Sequence, residues 1–249
     1  MKTLLQELSE NAAFLLVCLA VFAGIILLAW AAERWTKADL RRPGKAKYTA
    51  FIAMSAALGG VLMCLDIPLF FAPSFYQLDF SELPVLITSF YLGPVAGVVT
   101  ELLKVTIKLL LKGTTTAFVG DFANFVVGCT FVLPASILYH LHKSKRMAVV
   151  GMSVGTVVMT IFGSLFNAVY LLPTFSNLFG MPMEAIIAMA QEVNPHISSV
   201  SSLVLMAVVP FNLLKGILVS VLTLVLYKRL EHALSKLMAP QQAKHKQPT

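Results

Sequence analysis

The chain has 249 residues, of which 58% are hydrophobic and only 12% are charged. Soluble globular domains average roughly 45–50% apolar and about 25% charged residues, so this composition predicts a protein that lies in a lipid bilayer. The net charge of +7 does not indicate nucleic-acid binding, because the Lys and Arg residues cluster between apolar segments. A nucleic-acid reader would place them on one exposed face among aromatic residues.

The first apolar stretch, Ala12–Ala32, is 21 residues long and is followed by a basic segment that reaches Lys47. A cleavable signal peptide is one interpretation, since Ala29-Trp30-Ala31 resembles a cleavage site. A signal peptide carries its positive charge before the apolar stretch, whereas here the basic residues come after it. The pattern therefore favours a retained membrane-spanning helix whose carboxyl end lies inside.

Six further helices are predicted to form one compact core. They cover residues 48–65, 83–92, 94–111, 122–141, 147–172 and 200–227. The second is too short to span alone, and Gly93-Pro94 ends it because proline cannot continue a helix. The predicted fold is an all-α integral membrane protein: an extra N-terminal transmembrane helix with a basic cytoplasmic linker (1–47), a six-helix membrane domain (48–230) and a polar cytoplasmic tail (231–249).

The distribution of basic residues predicts the orientation. Placing residues 33–47, residues 140–146 and the chain from Lys228 onward inside puts 14 of the 19 Lys and Arg residues in the cytoplasm. Cytoplasmic loops carry an excess of such residues, so we expect an external N-terminus and a cytoplasmic C-terminus in a bacterial plasma membrane. Two long segments, 66–81 and 173–199, then lie outside, and residues 181–193 are predicted to form a short interfacial helix.

Four polar side chains inside the predicted spans indicate a ligand site: Asn124, Asn167, Asn212 and Lys215. Counting at 1.5 Å per residue places all four roughly 20 to 30 Å above the cytoplasmic face. Amides, one ammonium group and apolar neighbours suit a neutral, flat ligand with a polar edge. Alternatively, each amide only bonds a neighbouring helix. Lys215 lies too deep to reach the interface, so a ligand carbonyl or a hidden carboxylate should meet it.

A second polar stripe consists of Glu101, Lys104, Lys108 and Lys112, spaced along one helix face. Here a structural role is favoured, because Glu101 and Lys104 can pair and Lys112 can reach the interface. Glu101 is the only carboxylate that the sequence places deep in the membrane. The spacing therefore favours a structural role over a ligand role and does not decide between them.

Two pairs of small residues lie on the first helix of the predicted core. Ala53 with Ala57, and Ala56 with Gly60, each follow the small-xxx-small spacing that allows close helix contact. The contact could be internal or with another subunit.

Enzyme signatures are missing from the sequence. No HExxH or GxxxxGK[ST] motif occurs, and the GxSxG spacing at residues 151–155 falls inside a predicted membrane span rather than at the strand-to-helix turn of a nucleophile elbow. We therefore predict a protein that is not an enzyme and that needs partners for any ATP hydrolysis. Cys18, Cys64 and Cys129 lie in separate apolar segments without ligand spacing, which predicts apolar packing and no metal site. No cofactor is expected.

An ordered set of short motifs carries a family resemblance. The motifs are Leu78-Asp79-Phe80-Ser81-Glu82-Leu83-Pro84, Leu92-Gly93-Pro94 with Gly97, Leu103-Lys104, Gly120-Asp121-Phe122-Ala123-Asn124-Phe125 and Asn212-Leu213-Leu214-Lys215. In this order, from Lys45 to Leu230, the chain resembles the riboflavin-specific S components of energy-coupling factor (ECF) transporters. The resemblance implies a six-helix core that captures its vitamin from outside and docks on a coupling subunit with two ATPase subunits.

The resemblance also implies residue roles. Asn167, Asn212 and Lys215 match positions that hold the polar edge of the flavin ring, and the external loop around Asp79, with Leu78 and Phe80, helps to cap the site. An amide offers both a donor and an acceptor to such an edge, and an ammonium group donates to a carbonyl.

The family's alanine motif matches Ala53 and Ala57, which implies contact with the coupling subunit. Two features depart from the family pattern: the extra N-terminal helix, and Asp121 where a glutamate is usual.

Three alternatives remain at the sequence level. One is an S component for another vitamin or flavin, such as FMN or an analogue. A second is a secondary carrier that works alone, although such carriers usually have coupling carboxylates and paired repeats. The third is an intramembrane enzyme, which the missing motifs disfavour.

Overall fold

A computed structural model of the protein describes residues 4–38, 43–73, 76–114 and 118–238. Part of the predicted basic linker, residues 39–42, lies outside the described residues, as does the predicted tail beyond residue 238. The described chain folds into the following α-helices: α1 (Leu4–Thr36), α2 (Lys45–Cys64), α3 (Glu82–Leu92), α4 (Pro94–Lys112), α5 (Val119–Leu141), α6 (Lys145–Phe166), α7 (Leu172–Phe179), α8 (Met183–Val193), α9 (Val200–Leu203) and α10 (Val209–Met238).

The predicted all-helical membrane architecture is confirmed. Five of the described segments are long and apolar enough to cross a bilayer: 18–36, 45–64, 119–141, 145–177 and 200–227. Helix α3 is apolar but shorter, and α4 carries the charged stripe; both pack inside the bundle against α2 and α5. These elements comprise the predicted N-terminal helix and the six helices of the core.

Two segments of the long helices widen into π-helical turns. Asn167–Leu171 lies between α6 and α7, and Val204–Val208 lies between α9 and α10. The second π-helical turn ends two residues before Pro210, a residue type that itself kinks helices. Such turns occur frequently at functional sites, because the extra residue displaces the helix face on either side.

The loop between α2 and α3 is ordered by a short hairpin. Strands β1 (Ile67–Pro68) and β2 (Gln77–Leu78) pair in antiparallel register, with Ile67 opposite Leu78. The loop packs on α8, whose Ile186 and Ala190 are buried, so the short helix predicted over 181–193 is present as α8. We call this end of the bundle the loop end.

The opposite end of the bundle is closed by packed aromatic rings, named here the aromatic floor: Phe90, Tyr91, Tyr139 and Tyr227. The hydroxyl groups of Tyr139 and Tyr227 lie 2.5 Å apart. Above the floor, fully buried side chains fill the bundle, among them Phe131, Met152 and Val219.

Helix α1 lies against α4 and α5. Its Phe22 ring contacts Phe125, with centroids 5.4 Å apart, and Ile25 and Ala29 are buried in the same apolar cluster. The other face of α1 leaves large apolar side chains exposed, including Leu27 at 62%. An exposed apolar face of this kind is expected of a helix that contacts lipid.

Candidate functional site

A cavity of about 150 Å³ lies near the loop end, between α5, the two π-helical turns and α10. Met159, Phe175 and Phe211 provide much of its apolar wall. The polar side chains on its wall are Tyr76, Gln77, Glu82, Asn124, Asn167, Asn212 and Lys215. A mostly apolar cavity with a few convergent polar groups is the usual form of a small-molecule site.

The four polar residues singled out from the sequence meet in this cavity. Asn124 comes from α5, Asn167 from the first π-helical turn, and Asn212 and Lys215 from one face of α10. The amide nitrogen of Asn167 donates to the Gly163 carbonyl at 2.8 Å, which fixes its orientation. The convergence follows from their similar heights in neighbouring helices.

Tyr76 is a pocket residue that the sequence analysis missed. Its hydroxyl donates to Asn167 Oδ1 at 2.7 Å, and its ring packs on Phe211 with centroids 5.6 Å apart. Burial raises the pKa of the Tyr76 phenol, so the group stays protonated and remains a donor. The only sequence signal was the richness of its loop in aromatic residues, which does not select one ring.

Lys215 meets hidden carboxylates, one of the two partners that its depth predicts. Its Nζ lies 3.0 Å from Asp79 Oδ2 and 3.0 Å from Glu82 Oε1. Burial would raise the pKa of the Asp79 carboxyl, but the ammonium groups of Lys215 and Lys104 and hydrogen bonds from Ser81 hold it below its ordinary value. An ion pair between Asp79 and Lys215 thus attaches the loop to α10.

The expectation that Glu101 is the only deep carboxylate is wrong. Glu82 is 2% exposed and Asp79 is 4% exposed, and both belong to the buried cluster around Lys215. The sequence places them in an external loop because they precede an apolar segment. The loop folds back into the bundle instead, and buried ammonium groups offset the cost of burying the carboxylates.

Leu78 and Phe80 do not lie on the wall of the cavity. Leu78 is buried in the apolar cluster that joins the loop to α8, and Phe80 packs against that cluster and the central core. Their neighbour Asp79 points inward to Lys215. Within the described residues, the two apolar side chains therefore support the loop, and Asp79 and Tyr76 make its polar contacts to the site.

A second, more polar cavity of about 290 Å³, named here the vestibule, adjoins the first and shares Gln77, Gly120 and Asn124 with it. Two ion pairs of the charged stripe line it. Lys108 Nζ lies 2.6 Å from Asp121 Oδ1, and Lys112 Nζ lies 2.5 Å from Asp66 Oδ2. Asp121 thus has a structural partner, and the predicted pairing of Glu101 with Lys104 is also present, at 2.6 Å.

The two small-residue pairs of α2 differ in burial, although they lie on adjacent strips of the helix. Ala56 and Gly60 are buried against α4, where a Cβ added at Gly60 would lie 2.6 Å from Ile107. Ala53 and Ala57 are exposed. The first pair therefore packs the core, whereas the second leaves a surface of small side chains that a partner helix can approach closely.

No group of three His, Cys, Asp or Glu side chains within the described residues could hold a metal ion. The three cysteines are free thiols, with Cys129 buried and the others partly buried.

An all-helical bundle with a polar-edged cavity near one end has the architecture of a membrane-embedded ligand-binding protein. The family model described as "ECF transporter, substrate-specific component" matches residues 47–227. The chain therefore belongs to the family of substrate-specific (S) components of ECF transporters. The match begins after α1, which is the additional helix that the sequence indicates.

Several characterised proteins are similar to this chain. The riboflavin transporter RibU of Staphylococcus aureus is 33% identical over 75% of this chain and 91% of its own length. The riboflavin transporter FmnP of Bacillus subtilis is 29% identical over 75% of this chain and 93% of its own length. A solved structure of the S component of a bacterial ECF transporter is 34% identical, with a TM-score of 0.61 over 76% of this chain and 98% of the other.

Proposed function

We propose that this protein captures riboflavin from outside the cell, as the substrate-binding subunit of an ECF transporter in the bacterial plasma membrane. A coupling subunit and two ATPase subunits would then drive uptake. The observation that carries the proposal is the meeting of Asn124, Asn167, Asn212 and Lys215 around one mostly apolar cavity. The similarity to riboflavin transporters over three quarters of the chain supports it.

The chemistry of the cavity suits the two parts of this vitamin. The flavin ring is flat and uncharged, with carbonyl and ring-nitrogen groups along one edge. Amides can donate to and accept from that edge, and Lys215 can donate to a carbonyl. The hydroxylated side chain of riboflavin needs polar surroundings, which the adjoining vestibule supplies through its charged and amide side chains.

Binding of riboflavin by the purified full chain tests the proposal. We expect a complex with a flavin absorption spectrum, and quenching of flavin fluorescence on titration. Lys215→Ala should raise the Kd roughly ten- to a hundredfold, because hydrogen bonds to charged groups contribute about 1.5–3 kcal/mol. Failure of the wild-type chain to bind riboflavin would refute the proposal, and an unaltered Kd in a folded variant would remove Lys215 from the site.

The exposed pair Ala53 and Ala57 is the proposed contact with the coupling subunit. Beside it, Met54 and Leu58 are 72% and 53% exposed, and they line an apolar groove of about 300 Å³ between α2, α3 and α10. Ala53→Leu or Ala57→Leu should leave riboflavin binding intact and reduce uptake by the assembled transporter. Ser153→Leu, at an exposed position of α6, is the control. Normal uptake by both Ala53→Leu and Ala57→Leu would exclude this surface from the interface with the coupling subunit.

A carrier that works without partners is the second candidate, because the structure buries Asp79, Glu82 and Glu101, and coupling carboxylates are typical of such carriers. Each of these carboxylates already lies beside a lysine, which disfavours proton or sodium coupling. Vesicles containing the chain alone separate the two candidates: uptake without ATPase subunits would support the carrier. Mass spectrometry of the co-purified ligand separates riboflavin from FMN, flavin analogues and other vitamins.

A further inference from the structure

Lys104 lies directly behind the wall of the cavity. The side chain is fully buried, at 0% exposed, and it is not among the residues that line the cavity or the vestibule. Its Nζ lies 2.6 Å from Glu101 Oε1, 3.2 Å from Glu82 Oε1 and 3.3 Å from Asn124 Oδ1. Two of these three partners, Glu82 and Asn124, are on the cavity wall.

One carboxylate oxygen connects the two buried lysines. Glu82 Oε1 accepts from Lys104 and lies 3.0 Å from the Nζ of Lys215. Lys104 therefore restrains Asn124 directly and Lys215 through Glu82. In a dry environment such charge-assisted contacts are strong, and their geometry determines where the ammonium group of Lys215 can point.

The aliphatic part of Lys104 is held by α2. A Cβ added at Gly59 would lie 3.0 Å from Lys104 Cγ and 3.3 Å from Cδ, so the absence of a side chain at Gly59 creates the space in which the lysine runs. Contact with Gly59 thus confines the aliphatic part of the side chain, which leaves the ammonium group little freedom to move. Residues of α2, α3, α4 and α5 together therefore determine the position of the Lys104 ammonium group.

We infer that Lys104 is a positioning residue of the ligand site, which sets the affinity for the flavin without touching it. The inference rests on the proposed function. By ordering the Asn124 amide and the Glu82 carboxylate, Lys104 places Lys215 where it can donate to the polar edge of the ring. The competing explanation is that Lys104 serves only to neutralise the buried Glu101.

Two variants separate these explanations. Lys104→Met keeps the length of the side chain and removes its charge, which leaves three buried carboxylates beside one lysine. The double variant Lys104→Met/Glu101→Gln removes both charges of the closest pair. If neutralisation is the whole role of Lys104, the double variant regains both thermal stability and affinity. If Lys104 positions the site, stability recovers and the Kd for riboflavin stays raised by roughly tenfold.

The absorption spectrum of the bound flavin gives a readout that stability alone does not change. Its bands respond to the hydrogen bonds at the ring edge, so the double variant should bind with a shifted spectrum. Tyr139→Phe is the matched control: it removes a buried hydrogen bond in the aromatic floor and should lower stability with an unchanged Kd and spectrum.

A double variant with the wild-type Kd and spectrum would overturn the positioning role and leave the proposed function intact. Absence of riboflavin binding by the wild-type chain would overturn the proposed function and the positioning role together.

Discussion

Two loop residues, Tyr76 and Asp79, each hold a residue of the candidate site. Tyr76 donates to Asn167, and Asp79 pairs with Lys215. The loop is thereby attached to both sides of the cavity by groups that differ in character, one a neutral hydrogen bond and the other an ion pair. The contributions of these two contacts to the attachment of the loop can be separated, because only the ion pair depends on pH in the acid range.

Tyr76→Phe should weaken the attachment of the loop with little change in shape. A neutral hydrogen bond contributes about 0.5–1.5 kcal/mol, so we expect riboflavin to dissociate roughly 2- to 12-fold faster. Stopped-flow fluorescence measures this rate directly. An unchanged dissociation rate would mean that the Tyr76 hydroxyl does not help to retain the ligand.

Acid should loosen the loop through Asp79. Because the pKa of Asp79 is lowered in the folded state, its stabilising effect is present above its unfolded pKa of about 3.9 and is lost as the pH falls through the lower folded value. The thermal unfolding temperature of wild type should thus decline more steeply than that of Asp79→Asn below about pH 4. Parallel declines in the two proteins would exclude Asp79 as a source of the acid sensitivity.

The residues of the site were only partly predictable from the sequence. Asn124, Asn167, Asn212 and Lys215 could be found because a polar group inside an apolar span is conspicuous and its height can be counted. Glu82 could not, because its position beside Lys215 depends on how the loop folds back, and no local pattern encodes that path.

At the level of elements, α2 separates a packing face from an exposed face. Its buried glycines touch α4, and its exposed alanines lie on an adjacent strip of the helix, outside that contact. The sequence predicts close contact for both pairs of small residues, since the small-xxx-small spacing is the same. Only the structure assigns the directions.

Substitutions on the two faces of α2 should therefore have different effects. Gly60→Ala places a methyl group 2.6 Å from Ile107, and overpacking of this kind typically costs about 1–3 kcal/mol of stability. Ala57→Leu should leave stability unchanged, because its side chain is exposed. Thermal unfolding of the two variants in the same detergent compares them. Equal stability of both would contradict the assignment of the faces.

The helices of the core were predictable, whereas their irregularities were not. Apolar length and the Gly93-Pro94 break define α3 and α4 from sequence, and both begin within one residue of the prediction. The π-helical turns and the β1–β2 hairpin were not foreseen. A π-helical turn has the same apolar composition as the α-helix around it, so its presence depends on packing between helices rather than on a local signal.

At the scale of the whole molecule, α1 is attached to the side of the six-helix core. It packs on α4 and α5 through Phe22, Ile25 and Ala29, and none of its residues from 18 to 36, whose side chains are described, lines the cavity. The exposed alanines of α2 belong to a different surface. Residues 18–36 of the added helix therefore cover neither the candidate site nor the proposed coupling surface.

Removal of residues 1–43 should spare riboflavin binding. We expect a Kd within about twofold of the full chain, together with a lower thermal unfolding temperature, because the packing contacts between α1 and the core are lost. Binding and thermal unfolding of the shortened and full chains, purified in parallel, provide the comparison. A large loss of affinity in a folded, shortened protein would assign α1 a direct part in the site.

The aromatic floor limits what the bundle can do by itself. Below the cavity, Phe131, Met152 and Val219 fill the interior as far as the paired hydroxyls of Tyr139 and Tyr227. Close-packed interiors hold few voids as large as a water molecule, so these buried side chains form a barrier between the cavity and the far end of the described bundle. A protein of this shape can hold a bound vitamin without providing a path for protons or salt. The membrane then keeps its electrical resistance while the vitamin is bound.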